Sequence, residues 1–354
     1  MKRKVYCDYL RVIATLAVIV LHVSSTSWRR TDVNGMEWQA LNLYDSVVRW
    51  AVPVFVMISG SLFLNREISV KKIYCKYILR IVIAFFVWSV FYALTSPEYY
   101  ADGILNGVMM HSDLIVSGHF HMWFLLMLIG IYMCIPFYKK IVSENFVMKY
   151  FLVLSFVFTI LIPWGIKLIF DYAVGTHEQL TKLVEVANSN VTTMGMYTVM
   201  GYSFYFVLGY YLDSVELSKK HRVMIYILGA IGFVFTIVVN LDLALKTQQP
   251  CDRYYNYFDV NILLEAVCVH TLIKYQKYKN EKINSFILII SGYSFGGYLI
   301  HAFFIEKFSL YLGFSTLSFN TLASVPVVSG VVIICAMLVS AVLNNIPIIK
   351  KYCV

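Results

Sequence analysis

Long apolar runs broken by short polar connectors dominate this chain, and their spacing sets the architecture. A bilayer-spanning helix needs about 20 apolar residues. By that criterion the runs predict ten helices, at roughly 7–25, 44–64, 77–95, 120–138, 149–171, 194–212, 223–241, 257–275, 286–305 and 323–345. The predicted class is an all-α polytopic membrane protein with about ten transmembrane helices. Composition agrees, since 60% of the 354 residues are hydrophobic and only 14% are charged, against about 25% charged in a soluble domain. No internal repeat, low-complexity tract or long linker divides the chain, so residues 1–354 read as one membrane domain without a soluble domain. The largest external loops are expected at about 25–43, 96–118 and 172–193.

Cations orient the spans. With the N-terminus inside, 19 of the 29 lysines and arginines fall in internal segments. Six fall outside (Arg29, Arg30, Lys182, Lys246, Arg253, Lys307) and four within spans (Arg11, Arg49, Arg80, Lys167). This is the positive-inside pattern, and it puts both termini on the cytoplasmic side. The net charge of +9 thus has a topological origin, and nucleic acid is not an expected partner. Lys2-Arg3-Lys4 before an apolar run imitates an export signal, but Arg11 and His22 inside that run argue against cleavage. The seven cysteines lack metal-ligand spacing and only Cys251 falls in an external loop, so no external disulfide is expected.

Ionisable side chains inside spans are costly, and they form the default site hypothesis. They are Arg11 and His22 on the first span, Arg49 on the second, Arg80 on the third, Asp259, Glu265 and His270 on the eighth and His301 on the ninth, with His119 and His121 at the outer start of the fourth. Arg11 and His22 are eleven positions apart, about 20° from full register with a rise of about 16.5 Å. One helix face therefore carries a cation at its cytoplasmic base and an imidazole half a bilayer further out. Taken singly, Arg11 could snorkel with help from Asp8, and His22 could be an interfacial residue. Lys76 and Arg80 share a face at i, i+4. Arg80 reaches deeper than orientation requires, and with Arg11 it suits phosphate oxygens at the inner mouth.

Other positions are more ambiguous. His121 and His301 fit aromatic-belt placement singly, and His119-x-His121 puts two rings on different helix faces, so no metal site is expected. Pro53 is expected to bend the second span, while Ser59-Gly60 lets a backbone or ligand approach closely. Glu265, one turn after Asn261, is a buried carboxylate that must be paired or protonated. Its role, structural or chemical, stays open.

Several segments carry a family resemblance when taken in order. They are Asp8-x-x-Arg11 with ten residues between Arg11 and His22, then Val52-Pro53-Val54-Phe55 through Ile58-Ser59-Gly60, then the basic approach to the third span ending at Arg80-Ile81. His121-Met122-Trp123-Phe124, Phe206-x-x-Gly209-Tyr210-Tyr211 and Ser294-Phe295-Gly296-Gly297-Tyr298-Leu299-Ile300-His301 follow. The set resembles the acyltransferase type 3 family, bacterial integral-membrane O-acyltransferases that modify cell-surface glycans.

The resemblance implies an O-acetyltransferase of the bacterial inner membrane with no tightly bound cofactor. Acetyl-CoA would be the acyl donor, its phosphates near Arg11, Lys76 and Arg80. His22 would be the catalytic residue, assisted by Arg11, and the acceptor would be a hydroxyl of a cell-surface or lipid-linked glycan. Arg49, Ser59, His121, Trp123, Glu265, Tyr298 and His301 are the expected substrate-pocket residues. An imidazole with an ordinary pKa of about 6.5 can deprotonate the acceptor or carry the acyl group itself, and direct attack is preferred. Where the family usually has two adjacent cations before the third span, Lys76 is followed by Tyr77. Two other classes compete: a transporter or flippase of a glycan precursor, for which no broken, half-matching helices speak, and a non-catalytic membrane sensor or uptake module. Oligomeric state is not encoded legibly.

Overall fold

The computed structural model describes residues 3–96, 112–174 and 201–354, with Val186, Ser189 and Thr193 between them. Its main helices, in chain order, are α1 (Val5–Trp28), α2 (Met36–Ser46), α3 (Ala51–Phe63), α4 (Val70–Thr95), α5 (Trp123–Met133), α6 (Ile135–Val142), α7 (Asn145–Tyr172), α8 (Ser203–Ser214), α9 (Lys219–Thr247), α10 (Val260–Lys274), α11 (Glu281–Leu312), α12 (Thr321–Asn344) and α13 (Pro347–Tyr352), with a short helix at Ser112–Ser117 between α4 and α5. No strand occurs among the described residues. The fold is all-α, and eight helical segments there are long and apolar enough to cross a membrane, counting Met36–Phe63 as one. Of the two other expected spans, that at 194–212 begins outside the described residues and continues as α8, and that at 257–275 is the 15-residue α10. Most of the expected loops at 96–118 and 172–193, with Lys182, also lies outside them.

Helix α1 is the hub. It packs against α2, α3, α10, α11 and α12, and 67% of its apolar window is buried, whereas only 22% of that of α9 is. Ile227, Ile231, Val234 and Val238 form an exposed apolar stripe at i, i+4, i+7 and i+11 on α9. Such a stripe suits lipid, because hydrocarbon tails demand no polar face. Contact between α3 and α8 is backbone to backbone. A Cβ on Gly60 would strike the Phe206 carbonyl and one on Gly209 would strike that of Met57, while Ser61 Oγ donates to Gly209 O at 2.8 Å.

The second expected span departs from one bent helix. Residues 36–43, expected in a loop, join 44–46 of the expected span in α2, and a turn at 47–50 separates it from α3. Pro53 stands in the first turn of α3, where its missing N–H forfeits no helical bond. It therefore opens a helix instead of bending one.

Polar knots tie the helix ends. At one end Asp213 accepts from Lys4, from Tyr6 and from Asn65 Nδ2 (2.9 Å), joining the start of α1 to the ends of α3 and α8. Lys274 Nζ caps the carbonyls of Leu212 (2.8 Å) and Asp213 (3.1 Å). At the other end Trp28 packs on Trp38 and Tyr255, and Lys307 donates to Thr95 O at 2.6 Å.

Candidate active site

The end that carries Lys4 and Asp213 opens into a cavity of about 450 Å³ bordered by Arg11, Ser59, Arg66, Tyr77, Arg80 and Tyr132 among others. A second basin of about 420 Å³, lined by Arg3, Lys4, Asp8, Arg11 and Arg66, adjoins it, with Arg11, Leu62 and Arg66 common to both. Arg11 Nη1 donates to Ser291 Oγ at 3.0 Å and lies 3.6 Å from Asp8 Oδ1. Asp8 also accepts from Ser291 Oγ (3.0 Å) and from Arg3 Nε (2.7 Å). These bonds orient the Arg11 guanidinium without burying it, since a third of the side chain stays exposed. Arg3, outside the span, has its pKa raised, chiefly by its hydrogen bond to Asp8. Arg80 donates to Val354 O and stands 5.7 Å from the Phe295 ring. Five cations border the two basins, where Asp8 is the one lining carboxylate and Lys4 is also paired with Asp213, an arrangement suited to a polyanionic ligand.

His22 lines a narrower chamber of about 20 Å³, with Val18, Leu21, Val52, His121, Trp123 and Tyr257. Phe55, Phe124 and Tyr298 border both this chamber and the large cavity, so their rings form the partition between the two. Phe124 lies 5.8 Å from Phe55 and 5.9 Å from Tyr298, centroid to centroid. Arg11 and His22 thus serve consecutive compartments along one helix, as their spacing predicts.

The chamber's chemistry lies in a pair of coplanar imidazoles. His22 Nδ1 is 2.6 Å from His301 Nε2, and the ring planes differ by 9° with centroids 4.9 Å apart, so the rings meet edge to edge. His301 Nδ1 in turn meets the Tyr298 carbonyl at 2.5 Å. A carbonyl only accepts, so His301 Nδ1 carries the hydrogen. With neutral rings, His301 Nε2 is then an acceptor, His22 Nδ1 the donor to it, and His22 Nε2 a bare lone pair. That nitrogen makes no hydrogen bond among the described residues. The ladder from carbonyl through His301 to His22 therefore presents a base.

A second histidine pair lies beside the first. His119 and His121 occupy a tight turn, not opposite faces of an α-helix. Gly118, at φ +71, reverses the chain, and Phe120–Met122 form a 3₁₀ turn. Their Nδ1 atoms come within 2.9 Å. His121 Nε2 faces Leu299 O at 3.3 Å and His119 Nε2 faces Glu306 Oε1 at 2.9 Å. His121 and His301 are essentially sealed, at 1% and 0% exposure, which corrects the expectation of separate belt residues. Hydrogen bonds between rings make that burial tolerable. No set of three metal-ligating side chains is arranged to hold an ion among the described residues.

The remaining candidates divide. Ser59 borders the large cavity, Trp123 the chamber and Tyr298 both, with Tyr298 donating to His121 O. Arg49 borders neither. It pairs with Asp45 at 2.6 Å and caps the Tyr255 ring at 4.1 Å, bracing the distal end. Glu265 also stands apart, accepting from Thr236 Oγ at 2.6 Å between α9 and α10. Lys76 borders neither basin, its Nζ standing 5.9 Å from the Tyr77 ring. A π-turn over Ile73–Ile78 holds an extra residue per turn, which breaks the i, i+4 register with Arg80 and sets Tyr77 on the cavity wall instead. Arg66, which sequence reasoning gave only a topological duty, borders both basins. Its signal was the spacing, since Phe55, Ser59 and Leu62 share one face of α3 and Arg66, three residues past the helix end, continues the interval.

A helical membrane protein with an internal cavity, cationic at one mouth and ending at a hydrogen-bonded pair of histidines, has an arrangement suited to moving a group from a charged carrier. Comparison with known proteins makes the class specific. The acyltransferase-domain model matches residues 4–343, nearly the whole chain, and the protein belongs to the acyltransferase type 3 family. It is a multi-pass membrane acyltransferase. No curated protein and no solved structure matches it.

Proposed function

We propose that the protein moves an acetyl group from acetyl-CoA to a hydroxyl of a cell-surface or lipid-linked glycan, working in the bacterial inner membrane with both termini cytoplasmic. The observation that carries this is the His22–His301–Tyr298 carbonyl ladder, standing behind a cavity whose mouth gathers Arg3, Lys4, Arg11, Arg66 and Arg80. The donor's phosphates rest among those cations, with Arg66 in place of Lys76. Its thin pantetheine arm passes between Phe55, Phe124 and Tyr298, bringing the thioester carbonyl to His22.

The acceptor reaches His22 from the other end, past Trp123. As its oxygen attacks the thioester carbon, His22 Nε2 takes the hydroxyl proton, with His301 holding the opposite nitrogen. Collapse of the tetrahedral intermediate breaks the C–S bond, and His22 returns the proton to the departing thiolate. An ester and free CoA result, and His22 ends as it began. Direct attack is preferred because a bare Nε2 fixed by hydrogen bonding on Nδ1 is the arrangement a general base requires.

The test is purified protein in vesicles supplied with labelled acetyl-CoA and membrane glycan. Label should move to the glycan and should not with His22→Ala. Absence of transfer, or transfer indifferent to His22→Ala, would sink the reading and leave the flippase or sensor alternatives.

A further inference from the structure

Resting on the acyltransferase reading, we infer that the walls of the His22 chamber limit the transferred group to a short, uncharged acyl chain, and that Val18, Leu21 and Val52 set this limit. The chamber holds about 20 Å³, when one water-sized sphere needs about 10–15 Å³. Room beyond the reacting carbonyl is therefore that of a methyl or ethyl group. Val18 is 3% exposed, Leu21 5% and Val52 7%, and all three belong to helices α1 and α3, which pack directly on one another. A longer chain would have to displace the hub of the bundle, not a surface loop.

Charge is excluded by the same walls. No lysine or arginine borders the chamber, so an acyl group ending in a carboxylate would lie against histidine, tyrosine, tryptophan and aliphatic side chains with no cation in the wall, a placement that disfavours the ion. Such a group must also pass the Phe55, Phe124 and Tyr298 rings before its thioester arrives, because the acyl end of the donor enters first. Arg49, the cation on the connection between α2 and α3, pairs with Asp45 and Tyr255 and does not itself line the chamber.

The experiment measures kcat/KM for acetyl-, propionyl-, butyryl- and succinyl-CoA, using the full chain in vesicles with membrane glycan. Wild type should prefer acetyl, losing about tenfold or more per added methylene once the chamber is full, and should use succinyl-CoA at least about 100-fold less well than acetyl-CoA. Val52→Ala and Val18→Ala should each raise the butyryl-to-acetyl ratio by about tenfold. A flat profile from acetyl to butyryl in wild type, or efficient succinyl transfer, would overturn the limit while leaving the acyltransferase reading intact. Failure of every acyl-CoA would instead overturn that reading, and this inference with it. The wild-type profile decides the matter even if a widened variant fails to fold.

Discussion

Replacing His301 by Leu removes the acceptor for His22 Nδ1 while keeping most of the buried volume. In the native ladder the 2.6 Å contact with His301 Nε2 satisfies the Nδ1 hydrogen. Without it, the tautomer that leaves Nε2 bare has a buried donor unsatisfied, at about 1–3 kcal/mol. His22 escapes by moving the proton to Nε2, which is the unreactive form. The reactive population should fall by a factor of about 5 to 150, and kcat with it, while KM for the donor, set at the distant cationic mouth, should hold. His301→Gln keeps a carbonyl oxygen able to accept from Nδ1 and should recover much of the loss. The assay is steady-state thiol release from acetyl-CoA with glycan present, alongside thermal unfolding of each variant in detergent. If His301→Leu folds normally and keeps wild-type kcat, or if Gln rescues nothing, His301 does not set the tautomer.

Other outcomes follow from the same structure. Arg66→Ala should raise KM for acetyl-CoA by about 10- to 150-fold, the worth of a hydrogen bond to a charged group, whereas Lys76→Ala should change it by no more than about twofold, as for an exposed charge; donor titrations separate the two. Gly60→Ala or Gly209→Ala forces α3 and α8 apart and should cost at least about 1–3 kcal/mol, read as a lowered Tm with both helices otherwise unaltered in composition. Glu265→Gln preserves a partner for Thr236 and should keep activity with a stability change below about 1 kcal/mol. A large loss of kcat in Glu265→Gln with normal Tm would show that this carboxylate has a chemical role.

Much of the architecture is legible because lipid imposes one dominant rule, long apolar helices, and the exceptions stand out against it. Arg11 and His22 were readable as one face of one helix, and the structure gives them consecutive compartments. Pairwise geometry was not readable. His22 and His301 are 279 positions apart, and no periodicity reports that two such rings will meet edge to edge. Local backbone departures account for other differences. The π-turn at Ile73–Ile78 displaces Lys76, the turn after Gly118 joins His119 to His121, and the break at 47–50 lets Arg49 pair with Asp45. Pattern arguments that assume ideal 3.6-residue turns fail where the turn is not ideal.

The central claim is that His22 transfers an acyl group to a surface glycan. Mass spectrometry of surface polysaccharide, from cells lacking the protein and complemented with either wild type or His22→Gln, tests it most directly. The account predicts acetyl esters on the glycan only with wild type, both proteins reaching the membrane in equal amount. Identical acetylation with His22→Gln, or none attributable to the wild type, would contradict it.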